Sequence, residues 1–151
     1  MRHSDYTDYS LRVLMYCATH TDKLVTIAEI AQFYNISNNH LMKVVHALSL
    51  AGFLSTTRGR NGGLSLQRPA KDIRVDEVVK STELDFRLVE CFDTTSSECV
   101  LLPSCKLKKV FHSALDAYLN ELAKVTLADI CGVAKESKSI VHIKKLSQND
   151  N

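Results

Sequence analysis

The sequence predicts a mainly α-helical chain with one small β-hairpin, and three observations predict it. Apolar residues recur at helical spacing in several separate runs. Two of those runs are joined by a turn of only three residues, Asn35-Ile36-Ser37. A Gly-rich RGRNGG then separates two short segments that alternate apolar and polar residues as strands do.

Taken in order, residues 5–20 (DYTDYSLRVLMYCATH) place Tyr6, Tyr9, Val13, Leu14 and Cys17 on one helical face. Thr26-Ile-Ala-Glu29 has the form of a capping box, a hydroxyl residue followed three positions later by Glu. It starts a short helix, TIAEIAQFY, that stops near Asn35. Ser37 suits the N-cap of the next helix, NNHLMKVVHALSLA, which ends at Gly52, a natural residue for a left-handed stop. Leu41, Val44, Val45 and Leu48 face its core side. Two helices so closely joined form a helix-turn-helix. FLSTT and LSLQR supply the strands, and Asn61-Gly62-Gly63 is expected to provide the positive φ values of the hairpin. Helix-turn-helix followed by hairpin is a winged helix.

Beyond the wing, a short helix is expected from Arg74 to about Glu83, and an irregular loop from Leu88 to Ser104. A long amphipathic helix then runs from Cys105 to Val125, with Leu107, Val110, Phe111, Ala114, Leu115, Tyr118 and Leu122 along one stripe. Fifteen or so residues at 1.5 Å each extend roughly 22 Å. That exceeds what a small winged core needs, so a second copy is the expected partner, with packing onto its own domain as the alternative. Thr126-Leu-Ala-Asp129 caps one further turn. The expected organisation is a winged-helix DNA-binding domain at 1–83, a cysteine-bearing loop at 84–104, a dimerisation helix with its following turn at 105–131, and a polar tail at 132–151, mobile beyond Leu146.

Composition narrows the function classes. With 45% apolar and 24% charged residues the chain sits near the globular average, which makes disorder and membrane spanning poor readings. The opening MRHSDYTDYS has no apolar export segment, so the cytoplasm is expected, where five cysteines stay reduced. No nucleotide-binding loop or hydrolase motif is present, and no enzyme class follows. The net charge of +2 says little, but between Ser37 and Arg74 six basic residues (Lys43, Arg58, Arg60, Arg68, Lys71, Arg74) face one acid, Asp72. That is +5 locally and 2 − 5 = −3 elsewhere. Such a segment is either a footprint for phosphate or an ordinary solvated face.

In a helix-turn-helix the first residues of the second helix enter the major groove. Here those are Ser37, Asn38, Asn39, His40 and Lys43. Asn pairs with adenine there, and Lys serves guanine or phosphate. Ser37 and the free N–H groups of the first turn suit a phosphate oxygen. At the wing tip Arg58, Arg60 and Asn61 are placed to enter a narrow minor groove, with Gly59, Gly62 and Gly63 letting the backbone approach. The plainer reading makes Asn38 and Asn39 solvated first-turn residues and His46 a helix-surface or core histidine.

Cys91, Cys99 and Cys105 lie in a stretch with no Lys or Arg before Lys106. Thiols this dense without an export signal point to a metal or cluster site rather than disulfides. Cys91-x7-Cys99-x5-Cys105 lacks both the zinc knuckle and the ferredoxin spacings, so structural zinc and plain packing thiols stay open beside it. Pro103 and Ser104 put Cys105 at the start of the long helix, where the dipole and free N–H groups lower a thiol pKa. Glu90, Asp93 and Glu98 accompany the cysteines without a cation, which argues against anion binding. Cys17 and Cys131 sit on apolar helical faces and read as buried free thiols. A fourth ligand is missing from the triplet; Asp93, Glu98, His112 or a carboxylate from elsewhere in a dimer are the candidates.

YTDYSLRVLMY, NNHLMKVVHALSLAGFLSTTRGRNGGLSL, VECF with ECVLLPSCKLKKV, and TLADI resemble the winged-helix iron–sulfur regulators over roughly residues 1–131, and among them the nitric-oxide-sensing repressors. The resemblance implies a homodimeric repressor holding one iron–sulfur cluster per subunit, 4Fe–4S in preference to 2Fe–2S. It implies Cys91, Cys99 and Cys105 as cluster ligands, and Asp8 of the opposite subunit as the fourth. Nitric oxide would dismantle the cluster and relieve repression at a double-stranded operator. IscR-like members carry a His two or three residues after the last cysteine; here those positions are Leu107 and Lys108. RirA-like iron sensors share a similar cysteine spacing but tend to carry Asn where this chain has Asp8. The rival expectations are therefore a regulator responding to iron or cluster availability, and a winged-helix regulator with structural zinc. A redox enzyme subunit is disfavoured, since no partner cofactor motif appears.

Overall fold

The computed structural model describes residues 3–83, 85–89, 92 and 105–132. Helix α1 (Asp5–Thr19) starts at Ser4, whose hydroxyl accepts the Thr7 N–H, and it buries Val13, Leu14, Tyr16, Cys17 and Ala18. Tyr6 and Tyr9 pack half-buried at the rim of the same core. Helix α2 (Ile27–Tyr34) opens on the expected capping box, Thr26 and Glu29 each satisfying the other's backbone N–H. It closes at Asn35 in the left-handed region at φ 54°, a conformation Asn tolerates better than other non-glycine residues.

Helix α3 (Asn38–Leu50) buries Leu41, Val44, Val45 and Leu48, as its apolar spacing requires. Gly52 follows at φ 78°. Its N–H donates to Ser49 O and that of Phe53 to Leu48 O, the paired bonds of a Schellman stop. Phe53 and Leu54 thereby enter the core directly after the helix.

Strands β1 (Leu54–Thr57) and β2 (Gly63–Leu66) pair antiparallel in the register Leu54↔Leu66 to Thr57↔Gly63. Val25 adds a bridge on the other side of β2, exchanging hydrogen bonds with Leu64 at 3.0 and 2.7 Å. The positive φ of the wing lies at Gly59 (φ 110°), not in Asn61-Gly62-Gly63. Residues 58–62 form a connection longer than a two-residue hairpin, and Gly59 turns it, its carbonyl accepting the Gly62 N–H. Gly62 is required for another reason: a Cβ there would stand 2.2 Å from Thr57 O.

A 3-10 turn at Ala70–Asp72 leads to α4 (Val75–Thr82), and the chain resumes in α5 (Lys106–Ala123) and α6 (Leu127–Cys131). Backbone bonds Val75 N–H to Val125 O and Leu127 N–H to Ile73 O return the chain to the winged unit. A second capping box, Thr126 with Asp129, starts α6. Leu127 is thus buried with Leu14, Ile30, Leu41, Leu48, Leu54 and Ile73, and α6 packs on α1. Helix α5 lies against α4 yet buries no residue fully. Leu107 and Val110 stay 59% and 61% exposed, while Phe111, Leu115, Tyr118 and Leu122 are half-buried. No described helix is long and apolar enough to cross a membrane.

Candidate nucleic-acid interface and metal centre

The outward side of α3 presents Asn38, Asn39, His40 and Lys43 to solvent, with Ser37 beside them. Ser37 occupies the N-cap position, but its hydroxyl makes no capping bond and the first turn holds no acid. The positive end of this helix is therefore left for an external anion. His40 also stacks on Tyr9 of α1, ring centroids 6.4 Å apart, so it is partly a packing residue. Three residues outside the expected contact set share the exposed side: Met42, His46 and Leu50. For Met42 the signal was available, since it stands three residues after Asn39, on the same helical face.

At the wing, Arg58, Gly59, Arg60 and Asn61 are all exposed. The local charge count overstated what is free. Arg68 donates to Asp72 O at 2.7 Å, pairs with Glu77 and lies over the Phe53 ring, and Arg74 pairs with Asp76 and Glu77 at 3.3 and 3.2 Å. Those two cations hold the base of α4. Lys43, Arg58 and Arg60 carry no ion pair among the described residues and keep their charge for a ligand.

Of the sulfur triplet, Cys91 and Cys99 lie outside the described residues, as do Asp93 and Glu98. Cys105 is the N-cap residue of α5, extended in backbone, half-exposed, with a free thiol and no capping bond. A half-exposed thiol at the uncapped start of a helix is open to an external metal ion, which fits a ligand. Cys17 and Cys131 do not fit: burial pushes their thiols up to about 12 and about 11, so neither ionises readily. Asp8, in the first turn of α1, is a half-exposed carboxylate paired with Arg12 at 2.9 Å across one helical turn. His112 stacks flat on Phe92, centroids 4.1 Å apart. Among the described residues no three His, Cys, Asp or Glu side chains gather into a metal-binding group.

A carboxylate that no motif signalled links these parts. Oε2 of Glu83, at the end of α4, accepts from Ser4 N–H (3.0 Å), Ser4 Oγ (3.2 Å) and Thr7 Oγ1 (3.0 Å). His3 Nδ1 lies 3.2 Å from the same oxygen, and His3 Nε2 reaches the Tyr118 hydroxyl of α5. Burial pushes the Glu83 pKa up, but the hydrogen bonds from Ser4, Thr7 and His3 outweigh it and hold the group below the usual 4.5. One side chain thus fastens the start of α1, one turn before Asp8, to α4 and, through His3, to α5.

Known proteins resemble this chain over most of its length. The Rrf2 family model, described as "Iron-dependent Transcriptional regulator", matches residues 3–132. The HTH-type transcriptional regulator NsrR of Bacillus licheniformis is 50% identical over 131 residues, 86% of this chain and 92% of that protein. NsrR of Bacillus subtilis is 45% identical over 149 residues, 98% of this chain and 100% of that protein. Among solved structures, CymR (YrzC), the global cysteine regulator of B. subtilis, superposes with a TM-score of 0.71 at 23% identity, covering 88% of this chain and 98% of that one. T. potens IscR gives the same TM-score and identity over 91% of each chain.

Proposed function

Because the chain belongs to the Rrf2 family of transcriptional regulators, and so is a DNA-binding regulator and not an enzyme, we propose that it is a homodimeric cytoplasmic repressor that senses nitric oxide through an iron–sulfur cluster. Cys91, Cys99 and Cys105 would hold the cluster, of 4Fe–4S type in preference to 2Fe–2S, with Asp8 of the second subunit as fourth ligand. The observation that carries the proposal is Cys105 at the uncapped N-terminus of α5, a half-exposed free thiol open to an external ligand. Identity of 50% to an NsrR supports nitric oxide as the signal.

When bound, the cluster would supply an iron whose hard carboxylate ligand is more readily displaced than the three thiolates, leaving it open to a small molecule. The chain's own residues do the rest. Ser37, Asn38, Asn39, His40 and Lys43 enter the major groove, while Arg58, Arg60 and Asn61 lie along the minor groove. The exposed Leu107 and Val110 on α5 are available to a second copy, which must hold two recognition helices about 34 Å apart. Arg12 holds Oδ2 of Asp8 at 2.9 Å and would orient the carboxylate that ligation draws on. Through Ser4 and Thr7, Glu83 passes any shift of α1 to α4. Losing the Asp8 tie would therefore change how the two subunits present α3 to consecutive grooves.

A second reading, in which the signal is iron or cluster supply, draws support from the family's description as iron-dependent. Anaerobic purification with an absorption spectrum, followed by operator binding under nitric oxide or an iron chelator, separates the two. Release by nitric oxide is expected. Binding that survives nitric oxide and fails on chelation favours the iron reading, and a colourless protein with one zinc per chain sinks both.

A further inference from the structure

The DNA-facing side of α3 holds one side chain that neither phosphate nor a polar base edge explains. Met42 is 52% exposed on a surface otherwise made of amides, two histidines and an ammonium. At about 100° per residue, Asn39, Met42, Lys43 and His46 fall within a sector of about 100°, opposite the buried Leu41, Val44, Val45 and Leu48. Met42 therefore sits at one edge of that strip, about 60° round the helix from Asn39 and about 40° from His46, still on the groove-facing side. Leu50, though 77% exposed, lies about 12 Å further along the axis, past the N-terminal part of the helix that docks.

A thioether donates no hydrogen bond and accepts only weakly. Pressed against a guanine, adenine or cytosine edge in the major groove, it would strand polar atoms that had been hydrated. Thymine alone presents an apolar group there, its C5-methyl. Met42 stands three residues after Asn39, about 4.5 Å along the helix axis, and base pairs are stacked about 3.4 Å apart. One base-pair step thus separates the two side chains' targets.

We propose that Met42 is a specificity residue that packs on a thymine methyl, beside the base pair read by Asn39, in each operator half-site. This rests on the DNA-binding assignment and adds the base class that α3 selects. Lys43 supplies affinity without distinguishing thymine, whereas Met42 distinguishes thymine while adding little to nonspecific affinity.

The test begins without a defined operator sequence. Duplexes are enriched from a random library with the full-length, metal-loaded protein. The best site is then rebuilt with deoxyuridine in place of each thymidine in turn, which removes only the methyl. One position per half-site is expected at which this weakens the wild type about fourfold, the equivalent of ~0.8 kcal/mol for one methyl-sized group. Met42→Ala is expected to bind thymidine and deoxyuridine duplexes equally, and Met42→Gln to enrich adenine at that position instead. No sensitive position in the wild type, or a sensitivity undiminished in Met42→Ala, overturns the proposal. Failure of the wild type to enrich any duplex would overturn it together with the DNA-binding premise, and so is told apart from failure at Met42 alone.

Discussion

Replacing Glu83 tests whether the joint between α1, α4 and α5 is as strong as its geometry. The carboxylate is 13% exposed and takes four contacts on one oxygen, all between 3.0 and 3.2 Å. Hydrogen bonds to an ionised acceptor contribute about 1.5–3 kcal/mol each when removed singly, and less than additively together. Thr7 retains Thr82 Oγ1 at 3.2 Å, which offsets part of its loss. Glu83→Ala is therefore expected to cost about 3 kcal/mol, or about 9 °C in Tm at roughly 3 °C per kcal/mol for a chain of this size. Glu83→Gln keeps the shape but loses the charge, at about half that cost. The assay is thermal unfolding of the metal-free protein followed by circular dichroism. Because the folded pKa lies below the usual 4.5, the carboxylate's stabilisation is full above about pH 4.5 and is lost as pH falls through the folded value. The gap between wild type and Glu83→Gln should accordingly close in acid and persist at neutral and higher pH. A Tm within about 1 °C of wild type for Glu83→Ala, or a gap indifferent to acid, would refute the reasoning.

Three further outcomes are expected. Arg60→Ala weakens operator binding and reduces the slope of log K against log salt by about one unit; an unchanged slope in a fluorescence-anisotropy salt titration would remove the wing from the interface. Asp8→Ala leaves the protein folded but makes its cluster bleach faster under anaerobic conditions, and equal persistence of the absorption band would mean that the fourth ligand lies elsewhere. With metal removed, iodoacetamide near pH 8 alkylates Cys105 while Cys17 and Cys131, held up at about 12 and about 11, stay intact. Peptide mass spectrometry finding Cys17 modified as fast as Cys105 would contradict that.

The helix-turn-helix was legible because its signals are local. Thr26 and Glu29 are three residues apart, and Gly52 stops α3 through bonds within one turn. The wing was legible as a hairpin but not in its turn chemistry. Asn61-Gly62-Gly63 reads as the source of the hairpin's positive φ values, whereas Gly59 takes the positive φ, and Gly62 is small because Thr57 O lies against it. Charge counting could not separate Arg68 and Arg74, bound to Glu77, from Arg58 and Arg60, which carry no ion pair among the described residues, because the partner is chosen by the fold. The Glu83 joint was invisible for the same reason: it meets Ser4 across 79 positions, with no spacing rule to announce it. Met42 was readable from the wheel, yet a Met in a helix reads by default as core. Cys91 and Cys99 rest on sequence pattern alone.

The most direct measurement compares the affinity of one operator duplex for the metal-loaded, nitric-oxide-treated and metal-free protein at a single salt concentration. The account predicts tight binding by the loaded form and marked loss in the other two. Equal affinity in all three would contradict it, since the cysteine-held iron would then have no hold over the way α3 meets DNA.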